Sequence, residues 1–177
     1  MRRAILTLLG AFFVGTSGTH ADESLMDSAG LRTGISTHRP CDRFYQTEIY
    51  GIRHLPWTAE LTSRWALKSR LESTAGFLSG RHEAGFIVSL GPSLSLERKD
   101  RLFSLIAGVS PTLMDRQTFG NKPFGSNIQF TSHIGGSIRL SPRTELGIRF
   151  QHMSNAGINA DHNPGVNNFM CSVGYLF

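Results

Sequence analysis

The chain has 177 residues, of which 18% are charged and 40% are hydrophobic, and its formal net charge is +5. This length suits one domain. With 19 glycines and 12 phenylalanines the chain is too apolar for a disordered protein, and it lacks the long apolar runs of a helical membrane protein. No stripe of Lys and Arg residues stands out, so the sequence predicts no nucleic-acid partner.

The N-terminus has the three-part pattern of a secretory signal peptide. Arg2 and Arg3 precede a short apolar stretch, and small residues follow up to Ala21. The apolar stretch is too short to cross a bilayer as a helix, so we expect export and cleavage after Ala21. The sequence therefore predicts a signal peptide over residues 1–21 and one mature domain over residues 22–177.

The dominant pattern of the mature chain is a hydrophobic period of two, which is typical of strands with two distinct faces. In the clearest segment, Ala84–Glu97, apolar side chains on one face oppose glycine, serine and glutamate on the other, and only Ile87 breaks the alternation. Such segments match the roughly 9–11 residues that a tilted strand needs to cross a bilayer. We count eight strands: Leu31–Thr37, Phe44–Leu55, Ser63–Phe77, Ala84–Glu97, Arg101–Leu113, Ile128–Leu140, Arg143–Ser154 and Asn167–Phe177.

Charged residues occupy the polar face of two predicted strands. They are Arg64, Lys68, Arg70 and Glu72 in the third strand, and Arg143, Glu145 and Arg149 in the seventh. In a small barrel these charges would pair inside the lumen and leave the apolar face to lipid. In a soluble β-sandwich they would form a solvated outer face, and both architectures alternate in the same way.

The connections favour the barrel. Short turns near residues 98–100 and 141–142 contrast with long loops at 114–127 and 155–166, which is the pattern of periplasmic turns and external loops. The chain also ends in Phe177, and a terminal aromatic on the last strand is typical of outer-membrane proteins. We therefore predict an all-β fold, an eight-stranded antiparallel transmembrane β-barrel in the bacterial outer membrane.

Two polar residues stand on the predicted lipid-facing side. Continuing the apolar face of the seventh strand by twos leads to His152 and then Ser154. Residues two apart on one face have Cα atoms about 6.5–7 Å apart, a distance that an imidazole can span to reach a hydroxyl. A neutral imidazole that accepts the serine proton would create a nucleophile for ester hydrolysis. The alternative from spacing alone is an interfacial polar girdle.

The stretch Phe150-Gln151-His152-Met153-Ser154-Asn155-Ala156-Gly157-Ile158, followed by Asn163-Pro164-Gly165-Val166, resembles the signature of the lipid A 3-O-deacylase family, the PagL-like outer-membrane esterases. The resemblance implies an eight-stranded barrel with a serine esterase site on its outer surface. It implies that His152 is the base and Ser154 the nucleophile. It also places Asn155, Gly157 and Asn163 around the oxyanion site, with Phe130 near them.

The sequence departs from the family at one position. The family has a glutamate two residues after the glycine that corresponds to Gly165, and this chain has Asn167 there. Face counting puts Asn167 on the lipid-facing side, where it could meet His152 across the ladder. An asparagine can orient a histidine but cannot offset the charge of an imidazolium. Asp161, in the connecting loop, is the alternative acid.

The resemblance implies hydrolysis of the 3-O-linked acyl chain of lipid A, with lipopolysaccharide as substrate, outer-membrane lipids as surroundings and no cofactor. The second hypothesis is a barrel of the same family that binds lipid with little or no turnover. The histidines have no metal-ligand spacing, so no metal is predicted. The sequence leaves open a homodimer, and also a disulfide between Cys41 and Cys171.

Overall fold

The computed structural model describes residues 25–37, 43–100, 102–158 and 165–177. The predicted signal peptide and cleavage site lie outside these ranges. No helix in the described ranges is long and apolar enough to cross a membrane. The strands are β1 (Ser28–Ser36), β2 (Phe44–Glu60), β3 (Trp65–Gly80), β4 (Glu83–Arg98), β5 (Phe103–Met114), β6 (Thr118–Phe119), β7 (Lys122–Pro123), β8 (Ile128–Ser141), β9 (Thr144–Ser154) and β10 (Val166–Leu176).

Eight of these strands form a closed antiparallel barrel in the order β1-β10-β9-β8-β5-β4-β3-β2. The prediction of an eight-stranded barrel is therefore confirmed, and closure leaves no unpaired sheet edge. β6 and β7 form a separate short hairpin inside the connection between β5 and β8. Strands β2, β3 and β4 have 17, 16 and 16 residues, ample length to cross a bilayer at a tilt.

Predicted strand ends differ from the observed ends in places. β1 begins at Ser28, three residues before the prediction, and β2 continues to Glu60 beyond a register irregularity between His54 and Thr58. Arg64 was predicted to face the lumen and instead lies in the turn before β3, because the Thr62 hydroxyl accepts its backbone N–H and folds the chain back.

The prediction that Arg143 faces the lumen is also wrong, for a similar reason. It lies in the turn between β8 and β9, where the Ser141 hydroxyl accepts its backbone N–H. Both turns occur at the end of the barrel opposite the long loops. The cations of these two turns are consequently exposed to solvent rather than stored inside the barrel.

The lumen is filled by paired charges, as the alternation predicts. Arg32 Nη1 contacts Glu48 Oε1 at 2.7 Å and Glu72 Oε1 at 3.1 Å. From the opposite wall, Arg149 contacts Glu72 Oε1 at 2.6 Å and Glu48 Oε1 at 3.0 Å. Because the four residues belong to β1, β2, β3 and β9, this network ties together strands on both sides of the barrel.

An apolar cluster closes the lumen beneath the long loops. Phe119 and Phe124, from either side of the β6–β7 hairpin, meet the Phe44 ring edge-to-face with centroids 5.6 and 5.7 Å apart. Ile87 joins the same cluster and is 2% exposed. Ile87 therefore keeps the inward orientation that the alternation assigns to its position. Its side chain is apolar because the interior is apolar at this level.

Candidate active site

The candidate site lies at the loop end of β9, on the outer surface of the barrel. The outward side chains of β9 are exposed from Leu146 through His152, whereas Gln151 and Met153 are buried in the lumen. Ser154 continues the outward parity and is 8% exposed. The structure thus puts His152 and Ser154 on the face that the sequence alternation indicates.

His152 is flanked by one residue on each neighbouring strand. In the ladder it pairs with Asn167 of β10 and with Ser132 of β8. Its Nδ1 lies 2.6 Å from Asn167 Oδ1. Because an amide oxygen can only accept, a neutral imidazole in this contact donates its Nδ1–H and carries its lone pair on Nε2. That is the tautomer in which an imidazole can accept a proton from a hydroxyl.

The chain turns sharply after Ser154. Ala156 and Gly157 both have positive φ, 55° and 73°, and the Ile158 N–H donates to the Asn155 carbonyl at 3.0 Å. Asn155 is fully buried, and its Oδ1 accepts the Gly157 N–H at 2.8 Å. A non-glycine residue in the left-handed region carries a conformational cost, so this turn is held by its surroundings.

The turn is anchored to the loop that follows the β6–β7 hairpin. Asn155 Nδ2 donates to the Phe124 carbonyl at 3.1 Å, and Gln129 Nε2 donates to the same oxygen at 3.3 Å. Gln129 is itself fully buried and also donates to the Ser126 carbonyl at 2.7 Å. The apolar cluster at the mouth therefore fixes the position of the residues that follow Ser154.

An apolar surface surrounds the polar group. Phe130 is the register partner of Ser154 on β8 and is half-buried on the outward face. Two residues from the His152–Asn167 pair along the same two strands, Phe150 and Phe169 are paired and pack edge-to-face with centroids 5.3 Å apart. The His–Ser pair therefore stands between an aromatic surface and the loops, where the ester of an amphiphile would have its tail on one side and its headgroup on the other.

The structure brings together five of the seven site residues predicted from sequence and shows the surroundings of a sixth. His152, Ser154, Asn167, Phe130 and Asn155 lie in adjacent register positions or in the turn that follows. Gly157 completes that turn. Asn163 and the alternative acid Asp161 lie outside the described residues.

Sequence reasoning missed two neighbours of the site. The position of Ser132 beside His152 could have been found by counting the ladder back from the short β8–β9 turn. The Phe124 carbonyl could not, because any residue supplies a backbone acceptor and only the folded loop brings it to Asn155.

Cys171 is free and exposed on β10, and Cys41 lies outside the described residues. Within the described ranges no group of three or more His, Cys, Asp or Glu side chains could hold a metal ion.

The fold has a close counterpart among solved structures. A crystal structure of the outer membrane enzyme PagL matches with a TM-score of 0.73 and 18% identity, over 85% of this chain and 99% of that one. This likeness defines the fold class: an eight-stranded antiparallel β-barrel with the fold of that structure, here with a histidine–serine pair on its outward face.

The sequence comparisons give the family. The family model for lipid A 3-O-deacylase (PagL) matches residues 47–176. The lipid A deacylase PagL of Bordetella bronchiseptica is 37% identical over 151 residues, which cover 81% of this chain and 83% of that protein. This chain belongs to the PagL lipid A 3-O-deacylase family.

Proposed function

We propose that this protein is an outer-membrane ester hydrolase that removes the 3-O-linked acyl chain of lipid A, with Ser154 as nucleophile and His152 as base. The reaction and the lipopolysaccharide substrate are inferred from membership of the family. The observation that supports the residue assignment is the 2.6 Å contact between His152 Nδ1 and Asn167 Oδ1, on the outward face beside Ser154.

The reaction follows from this arrangement. Nε2 of His152 accepts the Ser154 hydroxyl proton while Oγ attacks the ester carbonyl carbon. The tetrahedral intermediate then expels the sugar 3-oxygen, which takes the proton from the imidazolium and leaves an acyl group on Ser154. A water molecule, deprotonated by the same Nε2, attacks the acyl-enzyme. The fatty acid leaves and the serine hydroxyl recovers its proton.

The oxyanion needs hydrogen-bond donors close to the serine, and we assign this region to Asn155, Gly157 and Asn163. In the structure the Gly157 N–H is engaged by Asn155 Oδ1. That leaves the Ala156 N–H as a donor that no contact among the described residues uses. Asn155 and Gly157 then act by shaping the turn that carries this N–H.

Asn167 is the orienting residue in this proposal. Its Oδ1 selects the productive tautomer of His152, as a carboxylate would. It carries no charge, however, so it does not stabilise the imidazolium that forms during attack. The expected consequence is a functional site with reduced turnover, unless Asp161 supplies the missing carboxylate.

The neutral orienting group also favours the second candidate function, a lipid-binding barrel with little turnover. The two candidates share the fold and the membrane, and they differ in the covalent step alone. The sequence leaves a homodimer open, and the oligomeric state of the purified barrel tests it.

Mass spectrometry of lipid A separates the two functions. The parent chain and Ser154→Ala are expressed in a bacterium whose lipid A carries a 3-O-linked 3-hydroxyacyl group. If the protein is the enzyme, lipid A should be lighter by that one acyl group in cells with the parent chain and unchanged in cells with Ser154→Ala. Unchanged lipid A, with the parent barrel folded in the outer membrane, would support the lipid-binding barrel.

A further inference from the structure

Gly165 stands directly before β10, and the imidazole of His152 occupies the space that a side chain at this position would take. Its φ is +52°, and a methyl group built on it would lie 2.9 Å from His152 Cε1 and 3.5 Å from Nε2. We propose that Gly165 is a positioning residue for His152: because it has no side chain, it leaves room for the ring in the orientation that directs Nε2. This inference rests on the proposed function, because it concerns the base of that reaction.

Two features of one short segment set the orientation of the ring. Asn167 accepts the Nδ1–H at 2.6 Å, and Gly165 leaves open the space beside the next ring atom, Cε1, where a Cβ would lie only 2.9 Å away. Because residue 165 has no side chain to push the ring aside, the imidazole can keep its contact with Asn167. The lone pair of Nε2 then keeps a defined direction.

A side chain at residue 165 would occupy the space that the imidazole now fills. Real Cβ atoms essentially never come within 3.0 Å of such a neighbour, so a methyl group at 2.9 Å would force the ring to move. An exposed histidine side chain ordinarily moves at small cost. Here the movement would either stretch the Asn167 hydrogen bond or turn Nε2 away from its working direction.

The positive φ of Gly165 could by itself explain the glycine, and a matched position isolates that effect. Gly120, in the β6–β7 hairpin, has φ +58°, and the nearest atoms to a methyl group there would be Arg81 Cβ and Cδ, both at 3.2 Å. Alanine at either position adds similar backbone strain. Only alanine at 165 displaces the imidazole.

The first experiment measures kcat and KM of Gly165→Ala and Gly120→Ala on lipid A in detergent micelles, per folded barrel as counted by heat modifiability. We expect Gly165→Ala to lower kcat by about 10²-fold with KM within about twofold, because a displaced base fails in the transition state. Gly120→Ala should stay within about twofold of the parent. Equal losses in the two variants would overturn the proposal.

A double-mutant comparison tests the mechanism of the loss. In an Asn167→Ala background the ring is free to yield, so adding Gly165→Ala should cost less than tenfold in kcat. A residue that acts only through barrel stability would give the same factor in both backgrounds. Equal factors would therefore contradict the positioning role.

A readout without turnover separates this inference from the proposed function. Nitrogen-15 NMR of labelled histidine reports which ring nitrogen carries the proton, with His152→Gln identifying the signal. The parent should show a proton on Nδ1, and Gly165→Ala should show a mixture of both tautomers. An unchanged tautomer would remove Gly165 from the mechanism, whereas full deacylation by Ser154→Ala would instead remove the proposed nucleophile.

Discussion

β9 carries polar residues on both of its faces, and the two faces use them differently. Arg149 points into the lumen, where it contacts Glu48 and Glu72. His152, three residues later, points outward, and its Nδ1 contacts the neutral amide of Asn167. The inner residue is enclosed by opposite charges, and the outer one keeps a nitrogen available.

The difference follows from what each face must satisfy. In the lumen a guanidinium without partners would be costly, so charges appear there in matched sets and contribute to strand order. On the outer surface a polar side chain gains nothing from lipid, so a histidine and a serine there call for an explanation in chemistry. Side-chain parity along one strand thus separates the structural polar residues from the candidate catalytic ones.

The largest expected effect is on the outer face. Ser154→Ala should lower deacylation by at least about 10⁴-fold, because removal of a nucleophile eliminates the covalent step. The barrel should still fold, since one hydroxyl on the outer surface contributes little to its stability. Lipid A mass spectrometry measures the loss, and heat modifiability on gels measures folding. A Ser154→Ala barrel with near-parent activity would show that the outer face does not carry the catalytic serine proposed here.

The inner face should respond in the opposite way. Glu72→Gln leaves Arg32 and Arg149 with one carboxylate, so the free energy of unfolding should fall by about 3 kcal/mol while kcat per folded barrel stays within about threefold. Urea unfolding in micelles provides the measurement. The control is Glu60→Gln, which breaks an exposed pair with Lys99 and should cost at most about 1 kcal/mol. Comparable losses in both variants would show that the lumen network is not structural.

The smallest expected effect is a gain. Asn167→Glu places a carboxylate beside His152 Nδ1, and kcat should rise by about tenfold or more because the imidazolium forms next to a negative charge. KM should change little, and the gain should vanish together with Ser154. If turnover does not change, Asp161→Ala identifies the reason: loss of activity would place the acid in the loop. Unaltered activity there would point to an incorrect assignment of Asn167.

Much of the barrel could be predicted because alternation is a local property of the chain. Face counting put Asn167 on the side of His152, and the ladder pairs them. Strand ends were less predictable, since side-chain hydrogen bonds such as that of Thr62 decide where the chain turns. Ile87 seemed to break the pattern because it lies on the lumen-facing side of its strand, which is otherwise polar. The interior becomes apolar at this level, where Phe119 and Phe124 close the lumen.

The candidate site divides in the same manner. His152 and Ser154 follow from parity and from the family signature, both of which are written in the sequence. The roles of Gly165 and of the Phe124 carbonyl depend on backbone atoms that reach the site from other parts of the chain. Such contacts have no residue-type signal, so they require the folded structure.

A long-chain alkyl fluorophosphonate, which reacts with activated serines, tests whether the outward pair His152–Ser154 is an esterase site. We expect inactivation with one adduct, mapped by peptide mass spectrometry to Ser154, and much slower labelling of His152→Asn. Inactivation with the adduct on another residue, such as Ser132 beside the same histidine, would contradict it.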